Sequence, residues 1–208
     1  MKINKPKITI YNEKSFKECL EEGEISNSLI DGNNDNIKLS NIVIDSCIIK
    51  NINFTNIKVE NVELLDVSFE NCDLSNVSFD NEFLTRVVFR DCKLSGMSLI
   101  DATIKDMEIV DCNCKYMNFG NTNITNLKVS NTDFSEASFM NVKVKNMEFC
   151  KNKFFRTEFI HSNLEGVDFR SSDIRGIIFD MSSMKGIIVD SLSCRELVGI
   201  LGVKVQDE

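Results

Sequence analysis

Every fifth residue from Leu39 to Val189 is apolar, 31 positions without a break. A composition of 42% apolar residues would fill about 13 of them by chance. The period belongs to neither regular element, since a helix repeats about every 3.6 residues and a strand every second one. Twelve of the fifteen phenylalanines sit on it, among them Phe69, Phe79, Phe89, Phe119, Phe139 and Phe159.

A second, mostly small or apolar set lies two residues before the centres, including Cys72, Val77, Cys92, Ala102, Cys112 and Ala137. Two inward side chains separated by one outward residue is strand geometry. The strand period must then be reset. The residue two after each centre is Asn, Asp or Gly at 21 of 30 positions from Asn41 to Gly186, and these types tolerate the left-handed backbone of a tight turn. Each pentad is therefore one short strand and one corner, and a chain that turns so regularly coils into a solenoid.

At "CDLSN" (72–76) and "TDFSE" (132–136) the sequence resembles the pentapeptide repeat family. The resemblance implies an all-β fold, a right-handed quadrilateral β-helix with four pentads per coil, so that residues twenty apart stack; Cys72, Cys92 and Cys112 form such a column. The expected organisation is a cap over 1–36, a repeat rod over 37–191 and a C-terminal helix and strand over 192–208. In the cap, "KITIY" reads as a strand and 13–22 as a helix, with Phe16, Cys19 and Leu20 on one face. The register breaks at Asn34, marking a loop or an irregular first turn. Ser193 and Glu196 have capping-box spacing, and Leu192 with Leu197 that of a hydrophobic staple, predicting a helix from about Cys194 to Leu201 closed by Gly202, with "GVKV" as a final strand.

The tail "SLSCRELVGILGVKV" is similar to that of the quinolone-resistance branch of the family. That resemblance implies a tail-to-tail homodimer, here through Leu197, Ile200 and Leu201, and a non-enzymatic rod that binds DNA gyrase or topoisomerase IV as a mimic of duplex DNA and reduces fluoroquinolone poisoning. The alternative is a structural or adaptor solenoid with another protein partner.

Charge narrows the surfaces. The chain carries a net charge of -8, which argues against direct nucleic-acid or membrane binding, and no apolar run approaches the length of a membrane span. Eight cysteines in a chain read as cytoplasmic are expected as reduced thiols. Outward columns such as Asp73, Lys93, Asn113, Asp133, Lys153 and Asp173 mix signs and predict surface ion-pair ladders. One edge differs: Glu60, Asp80, Ile100, Asp101, Met140, Ile160 and Asp180 lie in two columns that contain no Lys or Arg. It is expected to be a partner-binding edge, or else a patch covered by the N-terminal segment. Asp91, Asp106 and Asp111, with Asp101, form mid-rod acidic corners, where turn chemistry alone also accounts for Asp.

Catalytic signatures are missing. His161, the single histidine, falls at a corner and reads as a surface residue, and Cys112 and Cys114 form a lone CxC on inward positions. No cofactor, metal or catalytic residue is expected. Glu82 occupies an inward position and predicts a bulge or pairing with Arg86.

Overall fold

The computed structural model describes residues 2–32, 38–55 and 57–206. Its core is a parallel β-solenoid of about eight turns built on a register of twenty residues. Strands β1 (Asn12–Glu13), β2 (Ile25–Ser26) and β3 (Ser28–Asp31) open the coil. They are followed by β4 (Lys38–Lys50), β5 (Lys58–Glu70), β6 (Phe83–Arg90), β7 (Thr103–Val110) and β8 (Asn123–Ser130). The short β9 (Lys143–Val144), β10 (Met147–Cys150), β11 (Glu158–Phe159) and β12 (Ile178–Phe179) complete it. Leu64 pairs with Leu84, Leu84 with Ile104 and Ile104 with Ile124, each step being one coil. The first coil is one residue short, Leu29 lying opposite Ile48; the register break at Asn34 lies outside the described residues.

The corners carry the coil. Of the 29 described positions from 41 to 186, 26 have positive φ, the exceptions being Asn146, Ser171 and Met181. Even Arg86, Tyr116, Glu136 and Arg156 take the left-handed conformation. Asparagine adds a side-chain ladder along the edges: the Asn71 amide donates to Asn51 at 2.7 Å and that of Asn51 to Asp31 at 2.8 Å. Inside, phenylalanines one coil apart stack, with ring centroids 4.5 Å apart for Phe119 and Phe139 and 4.6 Å for Phe139 and Phe159.

Position two before the centre has a role beyond filling space. At these corners the backbone N–H of one coil donates to the side chain of the next: Cys72 to Cys92 Sγ at 3.5 Å, Cys92 to Cys112 Sγ at 3.4 Å, and Cys112 to Thr132 Oγ1 at 3.4 Å. The chain continues from Thr132 to Asn152 Oδ1 at 3.0 Å and from Asn152 to Ser172 Oγ at 3.1 Å. Small thiols, hydroxyls and amides thus satisfy buried donors that an apolar side chain would leave orphaned.

Helix α1 (Phe16–Glu22) closes one end, starting later than expected because Ser15 is its N-cap and forms a capping box with Glu18. Phe16 and Cys19 are buried beneath it. "KITIY" is not a strand. Asn12 and Glu13 find a sheet edge, opposite Ser28 and Leu29, and the Tyr11 N–H donates to the Asn27 carbonyl beside them at 3.0 Å; the contacts of Asn4, Lys5 and Lys7 run across the coils instead. At the other end, α2 (Ser193–Ile200) lacks the expected capping box. The Asp190 carboxylate receives the N–H groups of Leu192 and Ser193 at 2.8 and 2.9 Å, so the cap comes from three residues upstream of Ser193. Residues 203–206 are exposed and form no strand. One face of the sheet ends at β10, which pairs with β8 on one side and with no described strand on the other. A cleft of about 550 Å³ opens there between Asn146, Met147 and Glu148 and Glu165, Gly166 and Asp168.

Phe139 stacks on both neighbours in its column, so Phe139→Ala is expected to destabilise the fold by about 3–5 kcal/mol, read from urea denaturation with the far-UV spectrum of the folded state retained.

Candidate protein-binding surfaces

On the edge singled out by its lack of basic residues, carboxylates serve the rod itself. Asp80 Oδ1 accepts the Ile100 N–H at 2.7 Å and the Ser98 hydroxyl. Asp180 accepts the His161 N–H at 3.0 Å and the hydroxyls of Ser182 and Ser183. Glu60 is flanked from outside its column by Lys38 at 2.8 Å and Lys58 at 2.5 Å, and those hydrogen bonds hold its carboxyl at about 2. Asp101 remains exposed, Met140 is 37% exposed, and Ile100 and Ile160 are half-buried. The edge is a modest apolar strip with two exposed acids, Asp101 and the lysine-paired Glu60, and the described contacts of the N-terminal segment lie elsewhere.

The mid-rod corners separate. Asp91 and Asp111 stand on one edge of the rod, Asp101 on a second and Asp106 on a third, because corners five residues apart lie on successive edges of a coil of twenty. Asp91, Asp101 and Asp111 are exposed, whereas Asp106 is only 2% exposed. The Asn4 and Asn126 amides donate to its two oxygens at 2.8 and 2.6 Å. The expected ion-pair ladder is present: Lys93 lies 3.6 Å from Asp73 and Lys153 3.5 Å from Asp133. Glu82 does not pair with Arg86. It is half-buried, burial pushes its carboxyl up, and it accepts a backbone hydrogen bond from Val62. Arg86 instead grips Asp66 with two bonds of 2.6 Å.

At the C-terminal end, Leu197 is half-buried and packs against the core. A helix capping a solenoid must bury one side on the last coil. Ile200 and Leu201 stay outside, together with Leu192, 77% exposed, and with Met181, Val203 and Val205.

The N-terminal segment forms a surface that sequence inspection does not single out. The Lys7 N–H donates to Asp66 Oδ1 at 2.7 Å, Lys5 Nζ reaches Glu108, and Asn4 binds Asp106. Asp66 and Glu108 are consequently buried although they point away from the core, as is the outward Val88. Burial alone would raise the Asp66 carboxyl, but the Arg86 fork, the Lys7 amide and both charges outweigh it and hold it below its ordinary 3.8. Asp106 is likewise lowered, its hydrogen bonds with Asn4 and Asn126 overcoming desolvation.

Among the described residues no cluster of three or more His, Cys, Asp or Glu side chains could hold a metal, and no helix is long and apolar enough to cross a membrane. His161 is an exposed surface residue with its Nδ1 3.6 Å from Asp180, and no described group is arranged around it for catalysis.

Residues 62–139 match the sequence profile of the pentapeptide repeat region, and the twenty-residue register continues on both sides of that match, from Lys38 opposite Lys58 to Phe159 opposite Phe179. No curated protein matches the chain in sequence. Among solved structures it is similar to a trypsin-treated form of QnrB1, described as a plasmid-mediated fluoroquinolone resistance protein. The identity is 20% and the TM-score 0.39, covering 86% of this chain and 95% of that one. HetL, from the cyanobacterium Nostoc, matches at 10% identity and TM-score 0.41 over 83% of this chain and 92% of its own. A pentapeptide repeat protein of the Arabidopsis thaliana thylakoid lumen matches at 24% identity and TM-score 0.34, over 52% and 65%. At such scores these likenesses say nothing about what the chain binds.

Two measurements test this description. A carboxyl with a lowered folded value contributes stability above its unfolded value of about 4 and loses it as pH falls through the folded value. Protection of the Lys7 amide, corrected for intrinsic exchange, is therefore expected to persist at pH 6 and to collapse below about pH 4. All eight cysteines are free and only Cys150 and Cys194 are exposed; burial pushes Cys47 up to about 11 and Cys114 well above its ordinary value. Native alkylation is expected to modify Cys150 and Cys194, and the remaining six only after unfolding, as read by intact mass.

Proposed function

We propose that the protein is a non-enzymatic rod that binds DNA gyrase or topoisomerase IV in place of duplex DNA and lowers fluoroquinolone poisoning, acting as a homodimer joined at its C-terminal ends. The observation that carries this reading is the uncovered apolar end at Leu192, Ile200, Leu201, Val203 and Val205, on a tail whose sequence resembles that of the quinolone-resistance branch. An apolar end of this kind is stabilised when a second copy covers it, and two copies joined there double the length of the rod. The exposed mid-rod carboxylates Asp91, Asp101 and Asp111 then supply negative charge on two edges, with the strip of Met140 and its half-buried neighbours Ile100 and Ile160 as the apolar part of the contact.

A second reading, an adaptor rod with another protein partner, is favoured by the charge arithmetic. Residues 37–191 hold 22 acids and 17 bases, a net of -5, whereas duplex DNA of the rod's roughly 37 Å would carry about 22 charges at one per ~1.7 Å. Many of the rod's acids are also paired within it, as in Lys128–Glu148 and Arg175–Asp173.

The test is gyrase supercoiling with and without a fluoroquinolone, titrating the full chain. The topoisomerase reading expects recovery of drug-inhibited supercoiling at low protein and inhibition of gyrase itself at higher protein. Leu201→Glu is expected to shift the mass seen by light scattering from dimer to monomer and to weaken the recovery at least tenfold. No effect on gyrase from the organism that carries the chain moves the assignment to the adaptor.

A further inference from the structure

The N-terminal arm lies along the rod axis, perpendicular to the strands. Its contacts run from the coil of Ser28, where Asn12 and Glu13 join the sheet, to the coil of Asp106 and Glu108. From Asn4 on Asp106 to Lys7 on Asp66, three residues cross two coils. Three extended residues cover ~10 Å and two coils ~9.6 Å. An extended polypeptide laid on this edge therefore returns to an equivalent position every third residue, and Ile3 and Pro6, one register apart, are both half-buried.

The arm is matched to the track in charge as well as in pitch. It carries Lys2, Lys5 and Lys7 and no acid before Glu13, while the track presents three acids, Asp66, Asp106 and Glu108, against one base, Arg86, which is held on Asp66. Its hold is weak by construction. Residues 2–10 form no strand, and the three carboxylates point outward, so they return to water rather than to a vacant interior when the arm leaves. Buried ion pairs contribute little net stability beside apolar packing of the same size, but they specify what may sit there.

We propose that Asp66, Asp106 and Glu108 form a docking track for an extended, lysine-bearing segment of a partner polypeptide, and that residues 3–8 of the chain's own arm occupy it in competition. The track does not depend on the topoisomerase reading, since it uses another edge of the rod and a basic ligand rather than a DNA-binding enzyme's cleft. The partner segment it fits is extended, places a lysine against Glu108 as Lys5 does, and offers a backbone N–H to Asp66 three residues on from a donor to Asp106.

The probe is a fluorescent peptide of residues 2–12, titrated into the full chain and followed by anisotropy. Wild type is expected to bind it weakly, because the arm is in place. The Asn4→Asp, Lys5→Glu variant, whose arm is repelled while the solenoid is untouched, is expected to bind at least tenfold more tightly and less so at high salt. Adding Asp106→Asn and Glu108→Gln is expected to abolish the gain. Carbodiimide labelling of Glu108, read by mass spectrometry, gives a check that needs no change in the track: low in wild type, raised in the arm variant, and lowered again by the peptide. Equal binding to wild type and arm variant, binding to neither, or labelling of Glu108 that the peptide leaves unchanged overturns the proposal. So does a wild-type dimer that the arm variant loses and Leu201→Glu keeps, since the arm would then be exchanged between copies.

Discussion

The rod rests on a left-handed corner repeated every fifth residue. For an ordinary side chain this conformation costs about 1–2 kcal/mol, and 22 corners from 41 to 161 adopt it without glycine. Asparagine and aspartate lower the cost locally, and their side chains then link one coil to the next, as Asn71 does with Asn51. Once enough corners are fixed, the sheet ladder on both sides holds the remainder, which is why Arg86, Tyr116 and Arg156 can occupy the same conformation. One failed corner coincides with a break in the coil: Asn146 leaves the left-handed region at the point where β10 loses its next neighbour and the cleft opens.

Much of this was legible in the sequence because inward positions are dictated by local chemistry that repeats. The period of five, the corner residues and the phenylalanine columns all follow from requirements each pentad meets alone. The ends were less legible. Ile8 and Ile10 alternate as a strand would, but a strand needs an edge to pair with, and the first coil offers one only beside Ser28 and Leu29. Ser193 had the right spacing for a cap, yet Asp190 stood at an equally good distance and carries a charge, which helix N–H groups prefer. Leu197 packs half-buried against the core because an end helix must cover the last layer of side chains.

The surfaces were the least legible, for a physical reason. A column of acids in sequence does not reveal which carboxylates are already engaged by their own coil, and Asp80 and Asp180 prove to be internal hydrogen-bond acceptors rather than free charges. Nor does it reveal contacts between residues about a hundred apart, such as Lys5 with Glu108. One signal was available: Val88, an apolar residue between Ser68 and Glu108 in an outward column, marks a place that something covers. The small inward residues carried another message. Cys92, Cys112, Thr132 and Asn152 look like gap fillers, but in their column they accept backbone N–H groups that at other corners, such as Val77 and Ala102, go to the carbonyl three residues back.

The arm also sets an order of events in the life of the chain. Nearly every other contact in a solenoid joins neighbouring coils, so structure can grow coil by coil. The partners of Asn4, Lys5 and Lys7 lie 59 to 103 residues away, and the edge that receives them does not exist until the coil of Glu108 has closed. During synthesis the arm emerges first and is the last of these parts to find its place. Until then the nascent rod trails a basic extended segment, and its docking marks the moment at which five coils have stacked in register.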